Sequence, residues 1–280
     1  MLFPWLSVGA DTDVTNLTKG DRMTLTAAMG QRPNLNASTP RGPRAALHLR
    51  GAPVVAQIPT RTYEIAALRA DNSLFIGQDR APAIPLFEDA FSAFARGTLI
   101  STPHGDVAVE DLQPGDMINT ATAEPAKLIW IGSTSFVPAD AGRRIPLIRI
   151  MSDTFGEARP SSFVTLGPAA RILHTPHHLR AEAGEQRMLT PARAFLDGVN
   201  VIEVVPPTPI RLFHICLDRH AVIRAGGIEL ESYHPGANAT RTVTHSLRDR
   251  FLGMFPQIGH ISDFGPLANP RAPEPDPEQS

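Results

Sequence analysis

From Gly97 to Gly236 the apolar residues fall in short runs, and no long stretch sustains the 3.6-residue spacing of a helix. Val, Ile, Leu and Thr dominate the runs, while Gly, Pro, Asp and Asn fill the gaps between them. The runs predict strands at Thr98–Ser101, Val107–Val109, Met117–Thr120, Ala126–Ile131, Pro146–Ile150, Val201–Val205, Leu212–Leu217 and Ala221–Ala225. Strands this short, with no helical crossovers between them, cannot build a parallel α/β sheet. The expectation is one all-β domain of roughly 140 residues.

The segments on either side are of different character. From Arg22 to Tyr63 there is no acidic residue, and six Arg are scattered among Pro, Gly, Asn and Ser. With no aromatic residue to stack on a base before Tyr63, this reads as a solvated, flexible stretch rather than a nucleic-acid arm. TYEIAALRADNSLFIG then alternates apolar and polar residues about Asp71-Asn72-Ser73, which predicts a hairpin over 62–77. Phe87, Phe91 and Phe94, spaced i, i+4 and i+7, predict a short amphipathic helix ahead of the β domain. Beyond the β domain, THSLRDRFLGMF predicts a helix capped by Thr244, with Leu247, Phe251, Met254 and Phe255 on one face. The terminal NPRAPEPDPEQS alternates Pro with acids and reads as a disordered tail. The expected division is 1–90 for an N-terminal segment, 91–236 for the β domain, 237–265 for a helical segment and 266–280 for the tail.

Charge narrows the partners. The net charge of −2 gives no electrostatic case for nucleic acid or an anionic membrane surface. All but Lys19 and Lys127 of the 26 basic residues are Arg, a skew that reads as coding bias rather than a binding site. The lone cysteine, Cys216, cannot close an intramolecular disulfide or supply a Cys-based metal cluster. MLFPWLSVGADTD has no basic n-region, its apolar run is broken by Pro4, and no stretch has the roughly 18 apolar residues of a membrane span. A soluble, cytoplasmic protein is the expectation, with export lacking an N-terminal signal left open.

Six of the ten histidines lie between His174 and His234. In LHTPHHLR, the spacings of His174, His177 and His178 allow a zinc-dependent hydrolase to be considered. Pro176 disfavours a helix there, and neither a nearby Cys nor an HExxH pattern supports it, so no metal or other cofactor is expected.

Four ordered motifs are more specific together. ARGTLISTPHGDVAVEDLQPGD, the Thr175…His178 pair in HTPHH, MLTPARAFLDG and FHICLDRHAVIRAGGIELESYHPG occur in that order between about Phe91 and Gly236. This series resembles the Hedgehog/intein (Hint) family, in the form that bacterial Hint proteins carry. The resemblance implies a horseshoe-like all-β fold and self-directed acyl chemistry, in which a first-residue thiol or hydroxyl attacks the carbonyl before it. By position it makes His178 the acid that protonates the departing backbone nitrogen and Thr175 its partner at the strained amide. It makes His220 a candidate second histidine of the late motif.

This chain departs from the pattern at both ends. Alanine stands at position 93, where the nucleophile is expected, and Ser232-Tyr233-His234-Pro235-Gly236 lacks a His-Asn dipeptide. Ser92, one residue earlier, and Cys216, acting across the fold, are the two alternative nucleophiles. The leading expectation is a Hint domain without Cys-initiated cleavage, acting as a structural or binding module toward a protein partner. The alternatives are autoprocessing of its own N-terminal segment through Ser92 or Cys216 with Thr175 and His178, and the histidine-based metal hydrolase.

Overall fold

A computed structural model describes residues 58–122, 124–137, 146–177, 180–184 and 186–273. The chain enters through strands β1 (Thr60–Leu68) and β2 (Leu74–Pro82), paired antiparallel. The turn between them closes on Asp71, whose carboxylate accepts the Ser73 N–H at 2.9 Å, while Asn72 takes the left-handed φ of 61° that Asn tolerates. Alternation along β1 buries Tyr63, Ile65 and Ala67 on one face. A four-residue helix, α1 (Pro85–Glu88), opens with Pro85 in its first turn, and a 3-10 turn over Asp89–Phe91 follows. The structure corrects the predicted Phe87-Phe91-Phe94 helix. It stops at Phe91, and Phe94 enters β3 (Phe94–Ala95), where its backbone pairs with Phe213 and Leu166.

Then come β4 (Leu99–Thr102), β5 (Gly105–Ala108), β6 (Met117–Ile118), β7 (Ala126–Phe136), β8 (Leu147–Ile150), β9 (Val164–Leu166) and β10 (Arg171–Leu173). After α2 (Arg180–Ala183) follow β11 (Leu189–Pro191), β12 (Val201–Val204), β13 (Ile210–Leu217), β14 (Val222–Ala225), β15 (Ile228–Glu231) and α3 (His245–Gly253). Among the described residues one sheet runs β12-β8-β9-β3-β13-β7-β1-β2, with β6 pairing β7, and the other runs β11-β10-β15-β14-β4-β5. The all-β class read from the runs is the class observed. Five short strands escaped that reading, β3, β9, β10, β11 and β15, because two to four residues carry too little alternation to register.

Two of these pairings tie the N-terminal hairpin to the rest of the fold. Strand β1 lies between β2 and β7, so the N-terminal hairpin belongs to the same sheet as β3 and β13. An aromatic cluster holds it there: Tyr63, Phe87, Phe91, Trp130, Tyr233, Phe251 and Phe255 are all buried together. Trp130 stacks on Phe255 at 4.6 Å between ring centroids and donates its indole N–H to the Met254 carbonyl at 2.8 Å. Helix α3 thus packs through Phe251 and the turn after it, on the face its spacing predicts. Each fully buried Phe contributes about 1.5–3 kcal/mol, so residues 60–91 and α3 are integral to the core. Among the described residues no helix is long and apolar enough to cross a membrane.

The tail expected from 266 onward is anchored as far as Ala272. Leu189 N–H donates to the Pro270 carbonyl at 2.8 Å, and Ala272 N–H to the Leu189 carbonyl at 3.0 Å. Composition alone could not reveal this, because the partners lie some 80 residues away in sequence.

Candidate functional site

Position 93, where a nucleophile is expected, lies at the entrance to β3. Ser92 is fully buried and Ala93 is 1% exposed. The peptide group joining the two residues is engaged at both its N–H and its carbonyl. Ala93 N–H donates to the Phe213 carbonyl at 2.9 Å and the Ala93 carbonyl accepts Gly167 N–H at 2.8 Å. The Ser92 carbonyl, which precedes position 93, accepts Ala169 N–H at 3.2 Å. That approach needs glycine at 167, since a Cβ there would lie 2.0 Å from the Ser92 oxygen.

Among the described residues the buried Ser92 hydroxyl has no hydrogen-bond partner, and none of them contacts it as a base would to take its proton. Cys216 lies on β13 in the aromatic cluster with Phe91 and Trp130, whereas Ala93 packs in the other main cluster with Phe94 and Phe213. Burial, aided by the Asp218 charge, pushes the Cys216 thiol up to about 12, so at neutral pH it is a protonated core side chain. Its Sγ contacts the carbonyl of Leu217 at 3.7 Å.

Thr175 lies two residues past the end of β10, and its hydroxyl bridges two backbone groups. It donates to the Gln186 carbonyl at 3.1 Å and accepts Met188 N–H at 3.2 Å, closing the loop that contains α2. His178 lies outside the described residues. His174 is half-buried, with the rings of Phe155 and Phe195 at 5.0 and 5.6 Å, and burial lowers its pKa. Among the described residues no three His, Cys, Asp or Glu side chains converge as ion ligands would.

The residue that the sequence did not single out is His214. It sits on β13 next to Phe213, the partner of position 93, with its ring 5.4 Å from Phe94 and 5.2 Å from Tyr233. Burial pushes its pKa down to about 3, against a smaller opposing pull from Glu231, so the imidazole is neutral throughout the physiological range. The register of β13 against β3 would be needed to find it, and two residues of β3 do not declare that register in the sequence.

His220 belongs to a second, charged cluster. Its Nδ1 accepts Ala268 N–H at 2.8 Å, which leaves the proton on Nε2, facing Glu231 Oε1 at 3.1 Å. Glu231 is 5% exposed and also meets Arg271 at 2.9 Å and Arg171 at 3.6 Å. Burial would raise this carboxyl, but the His220 hydrogen bond and the Arg271 charge outweigh it and hold it below the usual carboxylate range. His234 completes the cluster, its ring 5.1 Å from that of His220 and its Nε2 2.9 Å from the Gly265 carbonyl.

Comparison with known proteins places this arrangement. The sequence model of the Hint domain family matches residues 92–237, just over half of the 280-residue chain. No curated protein matches it. Among solved structures, a bacterial intein-like domain from Clostridium thermocellum is similar at 14% identity and a TM-score of 0.34, over 51% of this chain and 99% of that one. A DnaB intein from Synechocystis sp. PCC 6803 is similar at 14% identity and a TM-score of 0.31, over 51% and 99%. The MchDnaB-1 intein is similar at 12% identity and a TM-score of 0.31, over 50% and 100%. The family match begins at Ser92, the residue before the alanine, and ends just past His234; the chain belongs to the Hint domain family, related to self-processing modules.

Proposed function

We propose that this Hint domain does not cleave itself and serves as a structural and binding module, with residues 60–91 held as part of the fold. The observation that carries this reading is the junction at 92–93. A methyl group stands where an attacking atom is needed, and the 92–93 peptide group is committed to backbone hydrogen bonds on both sides. The two alternative nucleophiles support it further. The Ser92 hydroxyl has no base in contact among the described residues, and Cys216 is a protonated core thiol. Cleavage at 92–93 would also leave β1 hydrogen-bonded to β7 and the aromatic cluster intact, so a cut chain would not release its N-terminal hairpin readily.

The test is the intact mass of the full chain followed over days at pH 7, with and without hydroxylamine or dithiothreitol. A single species at 30.2 kDa under all conditions is the expected result. Fragments divided at residue 92 or 93, and lost in His178→Ala, would overturn it in favour of autoprocessing. Zinc that co-purifies stoichiometrically and is lost with His174→Ala would overturn it in favour of a metal-dependent enzyme.

A further inference from the structure

Residues 265–273 lie in a groove whose contacts are those of a peptide-recognition site. The groove runs along the free edge of β11, the terminal strand of its sheet. Leu189 on that edge pairs in parallel with Arg271, through the hydrogen bonds to Pro270 and Ala272. This is strand addition by a single bridge. Further along, His220 Nδ1 accepts Ala268 N–H, and His234 Nε2 reaches the Gly265 carbonyl.

One side chain of the segment is read specifically. Arg271 enters the cluster, where Nε and one terminal nitrogen both meet Glu231 Oε1 at 2.9 Å. The same terminal nitrogen donates to the His234 carbonyl. Gly236 leaves the space for it, since a Cβ there would stand 3.0 Å from the other terminal nitrogen. The buried carboxylate, the carbonyl and the notch together fit a guanidinium and give a lysine ammonium no equivalent fork. Pro266, Pro270 and Pro273 fix φ at three positions of the segment, which lowers the entropy lost on docking.

We infer that this groove is a recognition site for a proline-flanked arginine peptide, and that residues 265–273 occupy it in cis. An incoming peptide of the same chemistry would make every contact the resident segment makes, because those contacts use backbone groups and one arginine. The cis segment competes at high effective concentration, so the site opens to a partner only when the segment is displaced. The inference does not depend on whether the 92–93 bond is ever cut, since none of the groove residues touches that junction.

The experiment uses the full chain and a fluorescently labelled peptide of residues 264–273, FGPLANPRAP, followed by anisotropy. Arg271→Ala, which weakens the resident segment and leaves Glu231 with His220 and Arg171, is expected to bind the peptide at least about tenfold more tightly than the natural chain. A peptide with Lys or Ala in place of the arginine should lose that binding, as should the Arg271→Ala/Glu231→Gln double variant. An Arg271→Ala chain that is folded by circular dichroism but does not bind the peptide would overturn the inference. So would equal binding of the arginine and alanine peptides. Should Arg271→Ala fail to fold, hydrogen exchange on the natural chain decides. The amides of Ala268, Ala272 and Leu189 should exchange at least about tenfold faster than that of Ile215 in β13, reporting local opening. Equal protection would make the segment a permanent part of the core and end the proposal.

Discussion

Lowering the pH from 7 to 5 should destabilise this domain through His214. In the unfolded chain this histidine titrates near 6.5, whereas burial against Phe94 and Tyr233 depresses it to about 3 in the fold. Between those two values the unfolded state binds a proton that the folded state excludes, so stability falls as the pH drops below 6.5. Each pH unit in that window costs about 1.4 kcal/mol, and the 1.5 units down to pH 5 therefore cost about 2 kcal/mol. Against a typical domain stability of about 5–15 kcal/mol this is readily measured. His174 and His234, also depressed by burial, add to the loss with the same sign. Glu231 adds nothing above pH 5, because its lowered pKa keeps it ionised there. The assay is urea unfolding by far-UV circular dichroism at both pH values, for the natural chain and for His214→Leu. The substitution shifts the baseline stability, but only the change between pH 7 and pH 5 is compared. The variant should lose about 2 kcal/mol less than the natural chain over this interval. Equal losses in the two proteins would show that His214 is not held neutral, and the placement of β13 against β3 would then be wrong.

Three further outcomes follow from the same core. Ser92→Ala removes a buried hydroxyl that has no partner and should leave stability unchanged or raise it by up to about 1 kcal/mol in urea unfolding, whereas a loss above that size would mean the hydroxyl is bonded. Gly167→Ala should cost about 3 kcal/mol or more, because its Cβ would collide with the Ser92 carbonyl and must push two backbone segments apart; a near-natural melting temperature would rule out that close approach. Cys216 should resist iodoacetamide at pH 8 in the native protein and react within minutes in 8 M urea, since burial suppresses both access and the thiolate, and rapid native labelling would contradict its place in the aromatic cluster.

The pattern of short apolar runs was enough to determine an all-β domain, and the four ordered motifs were enough to name its family. Both signals are local, carried by residues near one another in the chain, as are the Asp71–Ser73 turn and the apolar face of α3. Ala93, likewise, needs no fold to show that the expected attacking group is absent. The tertiary structure decided the rest, because the remaining features pair residues far apart in sequence. Alternation along IELE puts Glu229 and Glu231 on one polar face, yet only Glu231 is buried, because the chain returns forty residues later to lay Arg271 against it. Composition assigned Arg271 to a disordered tail, since no local pattern reveals a buried counter-charge. His214 gained its neutrality from the register of β13 beside β3, and the N-terminal hairpin became part of the main sheet only through β7. Local sequence sets which elements form; desolvation and ion pairing, which exist only once distant segments meet, set which residues matter in them.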